Sequence, residues 1–118
     1  MEDGRITDGQ ITVSSVNNNP GNHPTNARLN RPAGGGTTGA WIAGANDINQ
    51  WIQVDLAVAK MVSGVILQGK DYQYSTHRNH DRWVTRYNVQ YGNVSGTLEF
   101  ARPAYPQFKV DELVRYDI

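Results

Sequence analysis

Residues 70–82 read Lys-Asp-Tyr-Gln-Tyr-Ser-Thr-His-Arg-Asn-His-Asp-Arg, the densest run of aromatic, histidine and arginine side chains in the protein. The chemistry this mixture supports is recognition. A tyrosine face stacks on the apolar side of a sugar ring or on a peptide proline, while Asp, Asn, His and Arg make paired hydrogen bonds to hydroxyls or carboxylates. Tyr72, Tyr74, His77, Arg78, His80 and Arg82 are therefore candidate ligand contacts; the plainer reading is a solvated hairpin tip. His77 and His80 form a His-x-x-His pair flanked by Asp71 and Asp81. A metal site needs a third ligand at an established spacing, so no metal is assigned.

A second candidate surface lies in residues 17–26, Asn-Asn-Asn-Pro-Gly-Asn-His-Pro-Thr-Asn. Asparagine and glycine tolerate positive φ and Pro20 and Pro24 stop a helix, which predicts an exposed loop. Asn22 and His23 are its candidate glycan contacts. The loop carries no large apolar residue, and burying asparagine amides among lipid tails costs free energy, so membrane insertion is disfavoured. Catalysis is hard to build from this chain. It has no cysteine, no Gly-x-Ser-x-Gly elbow, no phosphate-cradling glycine loop before a helix and no His-Glu-x-x-His. A binding module is expected, not an enzyme.

The elements that must position these loops are strands. Ile52, Val54 and Leu56 alternate with Gln53 and Asp55, the period of a strand with one buried face. Residues 61–67, Met-Val-Ser-Gly-Val-Ile-Leu, are more continuously apolar and predict a central strand covered on both faces. Trp83, Thr85, Tyr87, Val89 and Tyr91 alternate with Val84, Arg86, Asn88 and Gln90, predicting a third strand. Ile11 and Val13 follow the turn signals Asp3-Gly4 and Asp8-Gly9 as a short strand piece. Trp51 and Trp83, at strand starts, are expected in core or rim packing. Arg28 is expected to pair with a carboxylate beneath the loops. Asn93-Val94-Ser95 meets the rule for N-glycosylation and sits in a turn.

Composition agrees with an all-β chain: 118 residues with 12 Gly and 5 Pro, and no long alanine, leucine or glutamate stretch. That length suits one domain, burying roughly 65% of the surface its unfolded form would expose. Eleven Lys and Arg balance eleven Asp and Glu. No global field therefore draws the protein to nucleic acid or to an anionic membrane. No apolar run spans a bilayer, and Met1-Glu2-Asp3-Gly4-Arg5 lacks the apolar core of a signal peptide, so the chain is either cytosolic or a piece of a longer secreted protein.

Six segments in order carry a family resemblance: Gly-Arg-Ile-Thr-Asp-Gly-Gln-Ile-Thr-Val-Ser-Ser at 4–15, Asn-Ala-Arg-Leu-Asn at 26–30, Ala-Trp at 40–41, Asn-Gln-Trp-Ile-Gln-Val-Asp-Leu at 49–56, Gly-Val-Ile-Leu-Gln-Gly at 64–69 and Trp-Val-Thr-Arg-Tyr-Asn-Val-Gln-Tyr at 83–91. Together they resemble the discoidin family, the C-type domains of coagulation factors V and VIII. The resemblance covers residues 1–93 and implies a single discoidin-like domain over 1–118, with 94–118 divergent or truncated. It implies a β-sandwich or distorted jelly-roll barrel whose loops at 17–26, 33–41 and 70–82 form a recognition surface at one end, in an extracellular setting. The ligands it implies are a glycan, most plausibly of the galactose type, or an extracellular protein such as collagen, with anionic lipid a weaker third. Residues 108–118 resemble the family's late Ala-Arg-Tyr-Ile-Arg-Ile strand with the middle deleted. The missing strands would leave an uncovered sheet edge that favours self-association. No cofactor is expected. Structural calcium, as in some β-sandwich lectins, is left open by the sequence, and Asp47 and Asp55 are not assigned to it.

Overall fold

The computed structural model describes residues 1–70, 82–93 and 97–101, and the backbone of two further strands at 108–110 and 113–117. The regular elements are β1 (Ile11–Val13), β2 (Trp51–Asp55), β3 (Lys60–Val62), β4 (Asn88–Gly92), β5 (Glu99–Phe100), β6 (Phe108–Val110) and β7 (Leu113–Asp117), with short 3-10 turns at Asp8–Gln10, Pro20–Asn22 and Pro24–Ala27. All pairings between these strands are antiparallel. The chain is all-β, with its strands in two separate antiparallel sheets, in keeping with the β-sandwich expected from the sequence.

One sheet runs in the order β1-β2-β7-β4-β5, and β3 and β6 form a separate pair. The alternation read at residues 52–56 is the reason β2 sits inside the sheet. Ile52 and Val54 are buried, while Trp51 and Gln53 on the other face are half-buried. Register extends that apolar face sideways: Ile11 lies opposite Val54 and Val13 opposite Ile52 on β1. Val89 and Tyr91 continue it on β4, each one strand further across β7. The opposite face runs from Thr12 to Gln53 on neighbouring strands, a polar pair.

Two expectations are corrected. Residues 61–67 do not form one central strand: β3 ends at Val62, and Ile66 and Leu67 are exposed, 77% and 45% respectively. A run of apolar residues specifies a buried strand only if neighbours exist on both sides, and among the described strands β3 has a partner on one side alone. Likewise the strand predicted from Trp83 begins only at Asn88. Trp83, expected in core or rim packing, is 66% exposed.

Register also defines the two ends of the sheet. At one end stand Val13, Trp51, Asn88 and Asp117; at the other stand Ile11, Asp55, Gly92 and Leu113. The long β1–β2 connection leaves Val13 and returns to Trp51, and the chain enters β4 at Asn88. Both candidate loop regions therefore join the sheet at the same end.

Ile52→Ala removes a buried side chain from the middle of the apolar face. Large-to-small changes of this kind cost about 2–5 kcal/mol, and the expected outcome is that loss in chemical denaturation followed by tryptophan fluorescence.

Candidate functional site

The loop at 17–26 is held by its own amides. Asn19 caps the Pro20–Asn22 turn, its side-chain oxygen accepting from the Gly21 N–H at 2.9 Å. His23 begins the next turn, with Thr25 N–H donating to its Nδ1 at 3.4 Å. Pro20 and Pro24 each take the first position of a turn, where a missing N–H costs nothing.

Gly21 is the junction between this loop and the glycine-rich one. Its carbonyl accepts from Asn26 Nδ2 at 2.7 Å and from the Thr38 N–H at 3.0 Å. The Thr38 hydroxyl lies 3.0 Å from the same carbonyl and 2.7 Å from Asn22 Oδ1, and its single proton serves one acceptor at a time. A Cβ on Gly21 would stand 2.6 Å from the Gly36 carbonyl oxygen, so only glycine permits this approach. The partner loop turns through Gly34, Gly35 and Gly36, all at positive φ, closed by paired backbone bonds between Gly34 and Thr37. Loops 17–26 and 33–41 are thus one bonded unit.

That unit is pinned to the sheet by polar contacts. The Trp41 indole N–H donates to the Ser15 carbonyl at 2.9 Å, and Asn17 N–H donates to the Ile42 carbonyl at 2.9 Å. Buried Gln50 accepts from both Ser14 and Ser15 hydroxyls and donates to Asp47 Oδ1 at 2.9 Å. That amide, together with the Asn49 N–H, holds the Asp47 carboxyl below the usual carboxylate range. On the other side Arg28 donates to the carbonyls of Met1 at 2.7 Å and Ile6 at 2.8 Å and to Asp8 Oδ1 at 2.6 Å. Arg28 therefore pairs with a carboxylate, as its sequence context predicts.

The predicted site residues separate into three groups. Asn22 is buried, 3% exposed, with its amide taken up by Asn17 and Thr38. It is a strut of the loop instead of a surface contact, because an amide between two bonded loops spends its hydrogen bonds inside. His23 and Arg82 are exposed. Tyr72, Tyr74, His77, Arg78 and His80 lie outside the described residues. The two ends of their segment meet where Lys70 N–H donates to the Arg82 carbonyl at 2.9 Å. Two residues before Lys70, Gln68 Oε1 accepts from the Asn30 N–H at 2.7 Å, which ties that neck to the strip following loop 17–26. Among the described residues no three His, Asp or Glu side chains converge as metal ligands would.

Sequence reasoning missed two features. One is the Gly21 junction, whose only signal was the concentration of asparagine, threonine and glycine in both loops. The other is a cleft of about 790 Å³ whose lining includes Leu29, Trp41, Ile52, Val54, Leu67 and Trp83 together with Arg5 and Arg31. It lies between the apolar face of β2 and residues 64–69.

Residues 10–103 match the F5/8 type C domain family. The chain belongs to that family. It is 39% identical over 99 residues to the EGF-like repeat and discoidin I-like domain-containing protein 3 of Mus musculus, covering 79% of this chain and 19% of that protein. Retinoschisin of Mus musculus is 36% identical over 95 residues, 77% of this chain and 38% of the relative. Coagulation factor V of Mus musculus is 38% identical over 96 residues, 79% of this chain and 4% of the relative. The chain thus spans well under half the length of these relatives. Domains of this family serve extracellular binding.

Two outcomes test the site's construction. Arg28→Met leaves two backbone carbonyls without their charged donor and is expected to cost about 1–3 kcal/mol. Asp8→Asn, at a carboxylate 72% exposed, is expected to cost under about 1 kcal/mol; paired urea denaturation curves compare them. Thr38→Val removes only the hydroxyl at the loop junction. It is expected to cost about 1 kcal/mol and to speed amide exchange at Gly21 and Asn22 while leaving the β1–β2 amides protected.

Proposed function

We propose that this chain is an extracellular recognition module that binds a carbohydrate of the galactose type through loops 17–26, 33–41 and 70–82. The observation that carries the reading is the bonded loop unit joined at Gly21. It holds exposed His23 at the end of the sheet from which the chain also enters β4. A loop pair already cross-linked by hydrogen bonds loses little conformational freedom on binding, which favours a small polar ligand that offers few contacts. The family assignment supports the extracellular setting, and segment 70–82 supplies the tyrosines, histidines and arginines that a sugar requires.

The surface of the bonded loops is polar. Asn18, Asn19, Pro20 and His23 are its exposed residues within 17–26, so insertion into a bilayer is disfavoured. Zero net charge argues against a nucleic-acid partner. The reading requires neither catalytic residues nor a cofactor.

A second reading has its own observation. Ile66, Leu67 and Trp83 are exposed beside the Lys70–Arg82 neck, and Trp83 Cβ would lie 3.3 Å from a Cβ on Gly69. An exposed apolar strip next to a polar loop suits an extracellular protein, such as a collagen-like strand, better than a sugar.

Binding of the protein to a glycan array, beside His23→Ala/Arg82→Ala and Tyr72→Ala/Tyr74→Ala variants checked for folding, separates the two. The carbohydrate reading expects selective signals on galactose-terminated glycans, displaced by free galactose at millimolar levels and lost in both variants. Absence of binding to every glycan by the folded protein overturns it; retention of collagen-peptide binding that Trp83→Ala abolishes establishes the second.

A further inference from the structure

The cleft of about 790 Å³ between the apolar face of β2 and residues 64–69 is lined on the sheet side by Ile52 and Val54, which are 8% and 3% exposed. Ile66, Leu67 and Trp83 also line it, and they are exposed, so the cleft communicates with solvent. Its volume falls within the roughly 300–1,000 Å³ of sites that hold small molecules. A concave space with an apolar floor takes an apolar body out of water more completely than a flat patch of the same residues.

The polar side chains of the lining are nearly all bonded. Asn26 Nδ2 donates to the Gly21 carbonyl, Gln68 Oε1 accepts from the Asn30 N–H, and Glu2 Oε1 accepts from Asn30 Nδ2 at 2.6 Å. Arg5 pairs with Asp3, and Arg28 pairs with Asp8. The Trp41 indole donates to the Ser15 carbonyl. Two groups of the lining are left over: among the described residues Arg31 makes no ion pair and Trp83 Nε1 makes no hydrogen bond. Both offer N–H donors and no acceptor, and one of them is a cation. The group that completes them is an acceptor with negative charge. That asymmetry favours a carboxylate over a sugar hydroxyl, which donates as well as accepts.

We propose that this cleft binds an amphipathic monocarboxylate, an apolar chain bearing one carboxylate, with the chain against Ile52, Val54 and Leu67 and the carboxylate at Arg31. The proposal does not rest on the carbohydrate reading, whose exposed contact His23 is not part of the cleft lining. Each methylene of the chain that leaves water is worth roughly fourfold in affinity. The guanidinium then selects the anion, because a carboxylate meets its planar fork of donors with two oxygens, and an alcohol of the same chain length brings one neutral oxygen.

The test is titration of the folded protein with decanoate, followed by calorimetry and by the indole N–H signals of its three tryptophans. Trp41 and Trp83 line the cleft and Trp51 does not. Saturable binding is expected, with the Trp41 and Trp83 signals moving and the Trp51 signal staying in place. Acetate, which lacks the chain, and decanol, which lacks the charge, are each expected to bind at least about tenfold more weakly. Arg31 is exposed, so Arg31→Met leaves the fold intact; it is expected to weaken decanoate by about tenfold and to leave decanol unchanged. Leu67→Asp, at another exposed position, is expected to weaken both ligands. No saturable binding by the folded protein, equal binding of decanol and decanoate, unchanged decanoate affinity in Arg31→Met, or movement of the Trp51 signal alone overturns the proposal. Binding to phosphatidylserine vesicles with no response to free decanoate overturns it in favour of a lipid surface. Glycan binding enters none of these readouts, so failure here leaves the carbohydrate reading standing.

Discussion

The five-stranded sheet depends on one pairing arrangement: β7, last in sequence of the described strands, lies between β2 and β4. Among the described residues the ladder β1-β2 and the ladder β4-β5 meet only through it. β7 pairs along five residues with each neighbour, from Trp51–Asp117 to Asp55–Leu113 on one side and from Asn88–Asp117 to Gly92–Leu113 on the other. A central strand contributed from so far along the chain must close a long loop to reach β2 before that pairing returns any contact energy. The two ends of the sheet, and hence the placement of every loop, follow from that register.

Not all of this was legible in the residues. β1 and β2 were, because Ile11, Val13, Ile52 and Val54 alternate with polar residues and a single face is buried. The position of β7 was not, since alternation reports which face a strand buries and says nothing about which strands flank it. The same gap explains the errors at 61–67 and 83–87. Val65, Ile66, Leu67 and Trp83 have the composition of strand residues, but composition does not supply a hydrogen-bonding partner, and the structure gives them no ladder.

The candidate site was legible in its chemistry and less so in its construction. Arg28 was readable as a paired cation because a guanidinium between loops is costly unless neutralised. Asn22 was not readable as a strut: asparagine-rich text predicts a loop, yet the same amides that tolerate loop conformations also satisfy one another when two loops pack. Gly21 shows the reason. Its missing side chain lets the Gly36 and Thr38 backbones approach, and its carbonyl then becomes the acceptor around which Asn26 and Thr38 gather. The polar residues nearest the junction are consumed by it, and those left for a ligand, such as His23, are the ones turned away from it.

This division of labour bears on how a binding surface is carried by a sheet with so few buried residues. Only Ile11, Ile52, Val54 and Ala33 are fully buried apolar residues among those described, so hydrophobic burial cannot by itself hold the β1–β2 connection in one shape. Hydrogen bonds do it instead, through Gln50, Trp41, Arg28 and the Gly21 carbonyl. Each bond contributes little net stability, about 0.5–1.5 kcal/mol. Directional bonds nevertheless fix geometry in a way that apolar contacts do not, and the Gly21 carbonyl and Gln50 each hold more than one of them. A loop held in this manner keeps its shape when exposed residues change, because the bonds that fix it lie between residues other than those facing solvent.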